Sequence, residues 1–234
     1  RALYHAVVGA VAAGNTSQVS IAAAVGRENR AVQHPLKALE EAGFVARDDD
    51  MFKNRRPIYR LADPIVRFHH VVTRRDLARF EDRRFTEAWA DARPRFSTHV
   101  LGPHFEQMAR DFVFKFASPA TIGGQVGEVG AAVVNDSRAR AQHELDVVAK
   151  VRRGSGATEV AAIGEAKHTT RVRTIADLTR LEGIRTLLVE RGKAPPTTKL
   201  LLFSATGFDR NLLAAAEARE DVELVDLDRM YRGT

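Results

Sequence analysis

The sequence predicts an α/β chain in two parts: a small helical unit closed by a β-hairpin, then a larger unit built on a sheet. Three observations predict it. Helical runs of apolar residues fill positions 2–42 and give way to two short strand signals that end at Leu61. Two longer strand signals, His143 to Ala149 and Ala162 to Lys167, flank the turn sequence Arg152-Arg153-Gly154-Ser155-Gly156. An amphipathic run over 173–191 then leads into Lys199-Leu200-Leu201-Leu202-Phe203-Ser204, a continuous apolar strand of the kind buried on both faces.

In order, Leu3, Ala6, Val7, Ala10 and Val11 recur at helical spacing over 2–13, and Gly14-Asn15 stops them. Thr16 or Ser17 caps a second helix, Gln18 to Val25, which ends at Gly26. Glu28 to Ala42 reads as a third, with Val32, Leu36 and Leu39 inward and Pro35 placing its start late. Phe44 to Arg47 and Pro57 to Leu61 are strands, and Asp48 to Arg56 is the loop between them. Three helices and a hairpin make the winged helix-turn-helix plan. In that plan Arg27, Asn29, Arg30 and Gln33 face a DNA major groove, while Lys53, Arg55 and Arg56 meet phosphates. The same plan also serves purely for protein contacts.

Asp63 to about Phe96 is helical and heavily charged, with Arg93-Pro94-Arg95 as a break. Its arginines either follow a nucleic-acid backbone or pair with Asp76, Glu81 and Asp82 along the helix. The stretch reads as a connector and a homo-oligomer contact. Gly123 to Gly130 reads as a turn into the larger unit's first strand, which ends near Val134. A short helix over 211–218 and a strand over 222–226 complete the order.

Length and charge bound the function. The 234 residues, 44% of them apolar, suffice for one large or two small cores. Cysteine is absent, so neither disulfides nor thiolate metal sites exist. No apolar run approaches a membrane span, and no leader-like start precedes the first helix, so a cytoplasmic protein without membrane contact is expected. A start at Arg-Ala-Leu suggests a fragment of something longer. Residues 1–95 carry 17 Lys+Arg against 12 Asp+Glu, and residues 96–234 carry 19 against 18, so the basic excess sits where the hairpin unit could meet DNA.

The longer hairpin carries the chemistry. Side chains alternate along a strand, so Glu144 and Asp146 share one face and Leu145 and Val147 the other, while Glu165 and Lys167 share a face opposite Gly164 and Ala166. Neighbouring strands lie about 4.8 Å apart, close enough for Asp146 and Glu165 to share Mg²⁺ or Mn²⁺. Such an ion acidifies a bound water, and Lys167 stands two residues on to orient that water or steady developing charge. The plainer reading is a hairpin with cross-strand ion pairs of small worth.

This stretch resembles the PD-(D/E)XK, or restriction-endonuclease-like, nucleases, whose core runs helix, three strands, helix, strand. That resemblance implies a glutamate on the first helix, and Glu106 in His104 to Val113 stands at the matching position. With it the resemblance implies four catalytic residues: Glu106, Asp146, Glu165 and Lys167. The sequence departs in having Glu144-Leu145 where a proline precedes the aspartate. Tyr59-Arg60-Leu61-Ala62-Asp63-Pro64-Ile65-Val66-Arg67-Phe68, directly after the hairpin, looks like the archaeal-type ATPases. Those ATP-binding proteins join a P-loop ATPase to a winged helix and a nuclease-like tail, and the resemblance covers nearly the whole chain. It implies a winged helix over 1–62, a helical connector over 63–100 and a nuclease-like domain over 101–234. ATP would belong to a domain this chain lacks, since no Gly-x-x-x-x-Gly-Lys-Ser/Thr string occurs. The expected function is metal-dependent phosphodiester hydrolysis on DNA. Its rivals are a non-catalytic DNA- or protein-binding tail and a winged-helix transcription regulator.

Overall fold

In the computed structural model, residues 2–53, 57–154 and 156–233 are described. The chain forms two compact units, residues 1–49 with 55–104, and residues 50–54 with 105–234. The stretch 63–100 groups with the first helices.

In the first unit, α1 (Ala2–Ala12), α2 (Gln18–Ala24) and α3 (Gln33–Glu41) pack with the antiparallel ribbon of β1 (Val45–Asp49) and β2 (Pro57–Leu61). Ser17 is the cap of α2: its hydroxyl accepts from Ser20 N–H at 3.0 Å, and the Ser20 hydroxyl accepts from Ser17 N–H at 3.1 Å. The expected third helix is split. A 3₁₀ turn, Asn29–Val32, precedes α3, and Pro35 lies buried in the first turn of α3, where a missing N–H costs nothing. Val7, Ile21, Val32, Leu36 and Leu61 form the centre of this unit's core. Asp63 then caps α4 (Pro64–Val71), taking Ile65 N–H at 2.7 Å with Pro64 at the first helical position.

After α5 (Leu77–Glu81) comes α6 (Phe85–Phe96), which contains Pro94. The break expected there does not occur. Pro94 sits in the last turn, and the helix continues without a break into a wider π turn, Ser97–Leu101.

The second unit is a three-layer α/β sandwich. Its sheet has the order β3-β4-β5-β6-β7, from β3 (Val126–Asp136), β4 (Ala141–Arg152), β5 (Thr158–Lys167), β6 (Lys199–Ser204) and β7 (Val222–Asp226). The first two pairings are antiparallel and the last two parallel. On one face lies α7 (Gly102–Lys115), whose Phe105, Ala109 and Phe112 pack with Val147, Ala149 and Phe203. On the other, α9 (Ile175–Glu190) sends Leu178, Leu181 and Ile184 onto Leu145, Val148 and Ile163. The remaining helices are α8 (Pro119–Ile122), α10 (Arg210–Glu217) and α11 (Leu227–Arg232); α10 packs with α9, and α11 with β7.

Residues 50–53 belong to this unit. Met51 N–H donates to Ala131 C=O at 3.1 Å, Asp50 accepts from Val133 N–H at 3.0 Å, and the Met51 side chain enters the core.

One glycine is required by a close approach. A Cβ on Gly164 would lie 2.9 Å from Leu201 C=O and 3.2 Å from the Phe203 ring, in the tightest part of the β5–β6 pairing. Gly164→Ala is therefore expected to cost about 2 kcal/mol, because backbone and not a flexible side chain would have to yield. Urea unfolding of the variant checks it, and an unchanged midpoint would refute the overpacking.

Candidate functional site

The polar cluster forms where β4 and β5 part. Their ladder runs from Arg152↔Thr158 to Val147↔Gly164 and goes no further. Beyond that point the Asp146 side chain takes the place of a backbone partner, accepting Ala166 N–H at 2.8 Å. The strict alternation expected of Leu145 and Val147 fails at this spot. Opposite them the register shifts between Gly130 and Ala132, so Leu145 and Val148 enter one core layer while Val147 enters the other. The bulge thereby turns Asp146 toward the end of β5.

Glu165 and Lys167 do share a face, that of α9. Glu165 is 2% exposed and is met by three cations. Lys167 Nζ stands 2.8 Å from its Oε1, Arg180 reaches the same oxygen, and Arg173 donates to Oε2 at 3.0 Å. Burial pushes the Glu165 carboxyl up, but the Lys167 hydrogen bond and the two arginines outweigh it and hold it below its ordinary value. Arg173 is also 2% exposed, so its role is structural anchoring of Glu165. Its Nε lies 3.3 Å from Asp177, which also takes Thr174 N–H at the start of α9.

Glu106 arrives from α7 with Arg110 one turn later. Burial first, then the charge of Asp146, pushes the Glu106 carboxyl up to about 7; Arg110 and Lys167 oppose the rise and Glu144 adds to it. Asp146 is likewise raised, chiefly by burial, against the pull of Ala166 N–H and Lys167. Arg110 donates to Asp146 C=O at 2.9 Å and braces the helix on the bulge. Sequence reasoning missed it, although its place four residues after Glu106, on the same helix face, was a usable signal.

Asp146 thus reaches the Glu165-Ala166-Lys167 end of β5, and Glu106 on α7 lies near enough to feel the charges of Asp146 and Lys167. Among the described residues, however, no group of three or more His, Asp or Glu side chains stands ready to hold a metal ion. Glu165 is instead engaged by Lys167, Arg173 and Arg180. The donor chemistry nonetheless fits Mg²⁺ or Mn²⁺: the oxygens are hard, and Glu106 and Asp146 crowd negative charge that a dication would relieve. The two partners of Glu165 Oε1 are also replaceable, since Lys167 and Arg180 are 43% and 51% exposed and can swing into water. Arg173 alone fixes the carboxylate, through the other oxygen.

In the first unit, Arg27, Asn29, Arg30 and Gln33 are exposed. Asn29 and Arg30 lie on the 3₁₀ turn, ahead of the helix expected to carry them. Lys53, expected on a free loop, belongs to the second unit and stands 4.0 Å from the buried carboxylate of Asp50. Arg55 and Arg56 lie outside the described residues.

No protein-family model matches the chain, and no curated protein matches it. Among solved structures, human N-acetylserotonin methyltransferase in complex with SAM aligns over 96% of this chain at 8% identity and a TM-score of 0.22. The chain spans 60% of that protein's length. So low a score carries no argument about fold or chemistry. Among the described residues, no helix is long and apolar enough to cross a membrane.

Proposed function

We propose that the second unit is a phosphodiester-cleaving module of the PD-(D/E)XK type, acting on DNA, and that the first unit is a winged helix that docks on DNA through Arg27, Asn29, Arg30 and Gln33. The single observation that carries the reading is the hydrogen bond that seats Asp146 on Ala166, between Glu165 and Lys167, where β4 and β5 part; Glu106 on α7 feels the charge of Asp146.

Asp146 and Glu165 would hold a divalent cation, with Glu106 as an outer contact; when bound, the ion acidifies a water and screens the phosphate. The chain's own groups do the rest. Arg173 fixes Glu165 by Oε2 and leaves Oε1 as the exchangeable oxygen. Lys167, released from Oε1, offers its ammonium to the charge that builds on the scissile phosphate. The bulge and Arg110 keep Asp146 turned to this point.

The test is nicking of supercoiled DNA with Mn²⁺, comparing the wild type with Asp146→Ala and Lys167→Ala. Cleavage should fall to background in both variants. Cleavage that survives both would remove these residues from the chemistry. A second reading, a binding module without cleavage, is favoured by the occupation of both Glu165 oxygens by cations. It expects no cleavage with any metal, together with DNA binding that weakens steeply with salt.

A further inference from the structure

A cavity of about 460 Å³ opens in the first unit where α1, α3 and α4 approach one another. Its floor is apolar, from Val8, Leu39, Phe44 and Val66. Phe44 keeps 44% of its surface exposed although it lines a concavity. The rim is basic: His5, His69, His70 and Arg74 converge there, and no carboxylate lines the cavity.

This convergence is built by the sequence. Val66, His69, His70 and Arg74 follow one another at helical spacing along α4 and the turn after it, which lays them on one side. The His70 ring lies against α1 at Gly9, where a Cβ would be in ordinary contact, 3.6 Å from its Nδ1. Arg74 Nη1 stands 3.4 Å from that same nitrogen, and the rings of His69 and His70 meet edge-on at 5.4 Å. Tyr4, on the rim, is pinned by a 3.0 Å hydrogen bond between its hydroxyl and His34. Among the described residues, Arg74 has no ion pair with any carboxylate.

Arg74 sets a fixed positive charge, and the imidazoles beside it set N–H donors, at the edge of an apolar floor, so an anion with an apolar body satisfies both surfaces at once. Ligand pockets of about 300–1,000 Å³ share this plan of apolar walls with a few convergent polar groups. We infer that this cavity binds a small aromatic carboxylate, its ring on Phe44 and Val66 and its carboxylate on Arg74 and the histidines. The site lies in the first unit and stands or falls independently of the nuclease reading.

The experiment titrates 1-naphthoate into the full 234-residue chain, with neutral 1-naphthalenemethanol as control, by calorimetry and by the imidazole proton signals of the histidines. Naphthoate is expected to bind saturably and to move the His5, His69 and His70 signals. Arg74→Gln should weaken it about tenfold, the worth of one charge-assisted hydrogen bond. Phe44→Ser, at an exposed position, should weaken naphthoate while leaving the fold intact by circular dichroism. Absence of saturation overturns the inference. So does equal binding of the alcohol, or an affinity indifferent to Arg74→Gln.

Discussion

Glu165→Ala lowers the stability of the second unit by about 3–5 kcal/mol, the range for removing one partner of a buried ion pair. Arg173 is 2% exposed, and without Glu165 the carboxylate left to face its charge among the described residues is Asp177, 3.3 Å from its Nε. Its Nη1 already lies buried without a hydrogen bond, so little compensation is at hand. The reverse change, Arg173→Met, costs less, because Glu165 keeps Lys167 and Arg180, both able to follow it. The double variant Glu165→Leu with Arg173→Met should regain much of the loss, and the cycle isolates the pair. Urea unfolding read from the amide signals of β4 and β5 measures all of these. A loss for Glu165→Ala within about 1 kcal/mol, as for exposed pairs, would show that Arg173 is solvated after all.

The second large effect is a pH slope that Glu106 imposes. Its carboxyl is raised from an ordinary 4.5 to about 7, by burial and then by Asp146. An acid whose folded pKa is raised favours folding while protonated. That contribution is complete below 4.5 and is lost as pH climbs through about 7. Wild type should therefore lose about 2–3 kcal/mol relative to Glu106→Gln across this window. Asp146, Glu144, Arg110 and Lys167 face the same carboxyl and remain in both proteins, so the difference between the two curves isolates Glu106. Curves that run parallel from about pH 4 to pH 8 would dispose of the raised value.

Much of this architecture is legible in the sequence because periodicity is local. The pairing of β4 with β5, the shared face of Glu165 and Lys167, and the burial of Leu178, Leu181 and Ile184 follow from spacings of two and of three to four. What escaped depends on the partner strand or on distant chain. The break in alternation at Leu145 to Val148 arises from a register shift opposite Gly130 and Ala132, which nothing in the β4 sequence announces. The burial of Arg173 against Glu165 is invisible locally, because the two are brought together only by the sheet. Pro94 reads as a breaker because the wide turn after it is not encoded by any residue type. Lys53 reads as free because Asp50 finds its partner, Val133, 83 positions away.

That last contact has a consequence for how the sheet ends. β3 is an outer strand, and bare outer strands invite a foreign chain to extend the sheet. Here a clip of the protein's own chain, Asp50 and Met51, already occupies this edge: the Asp50 carboxylate accepts from the amide of Val133, and the Met51 amide donates to the carbonyl of Ala131. The larger unit is consequently discontinuous in sequence. Any piece cut to begin after this clip leaves its margin open to recruitment by a neighbour.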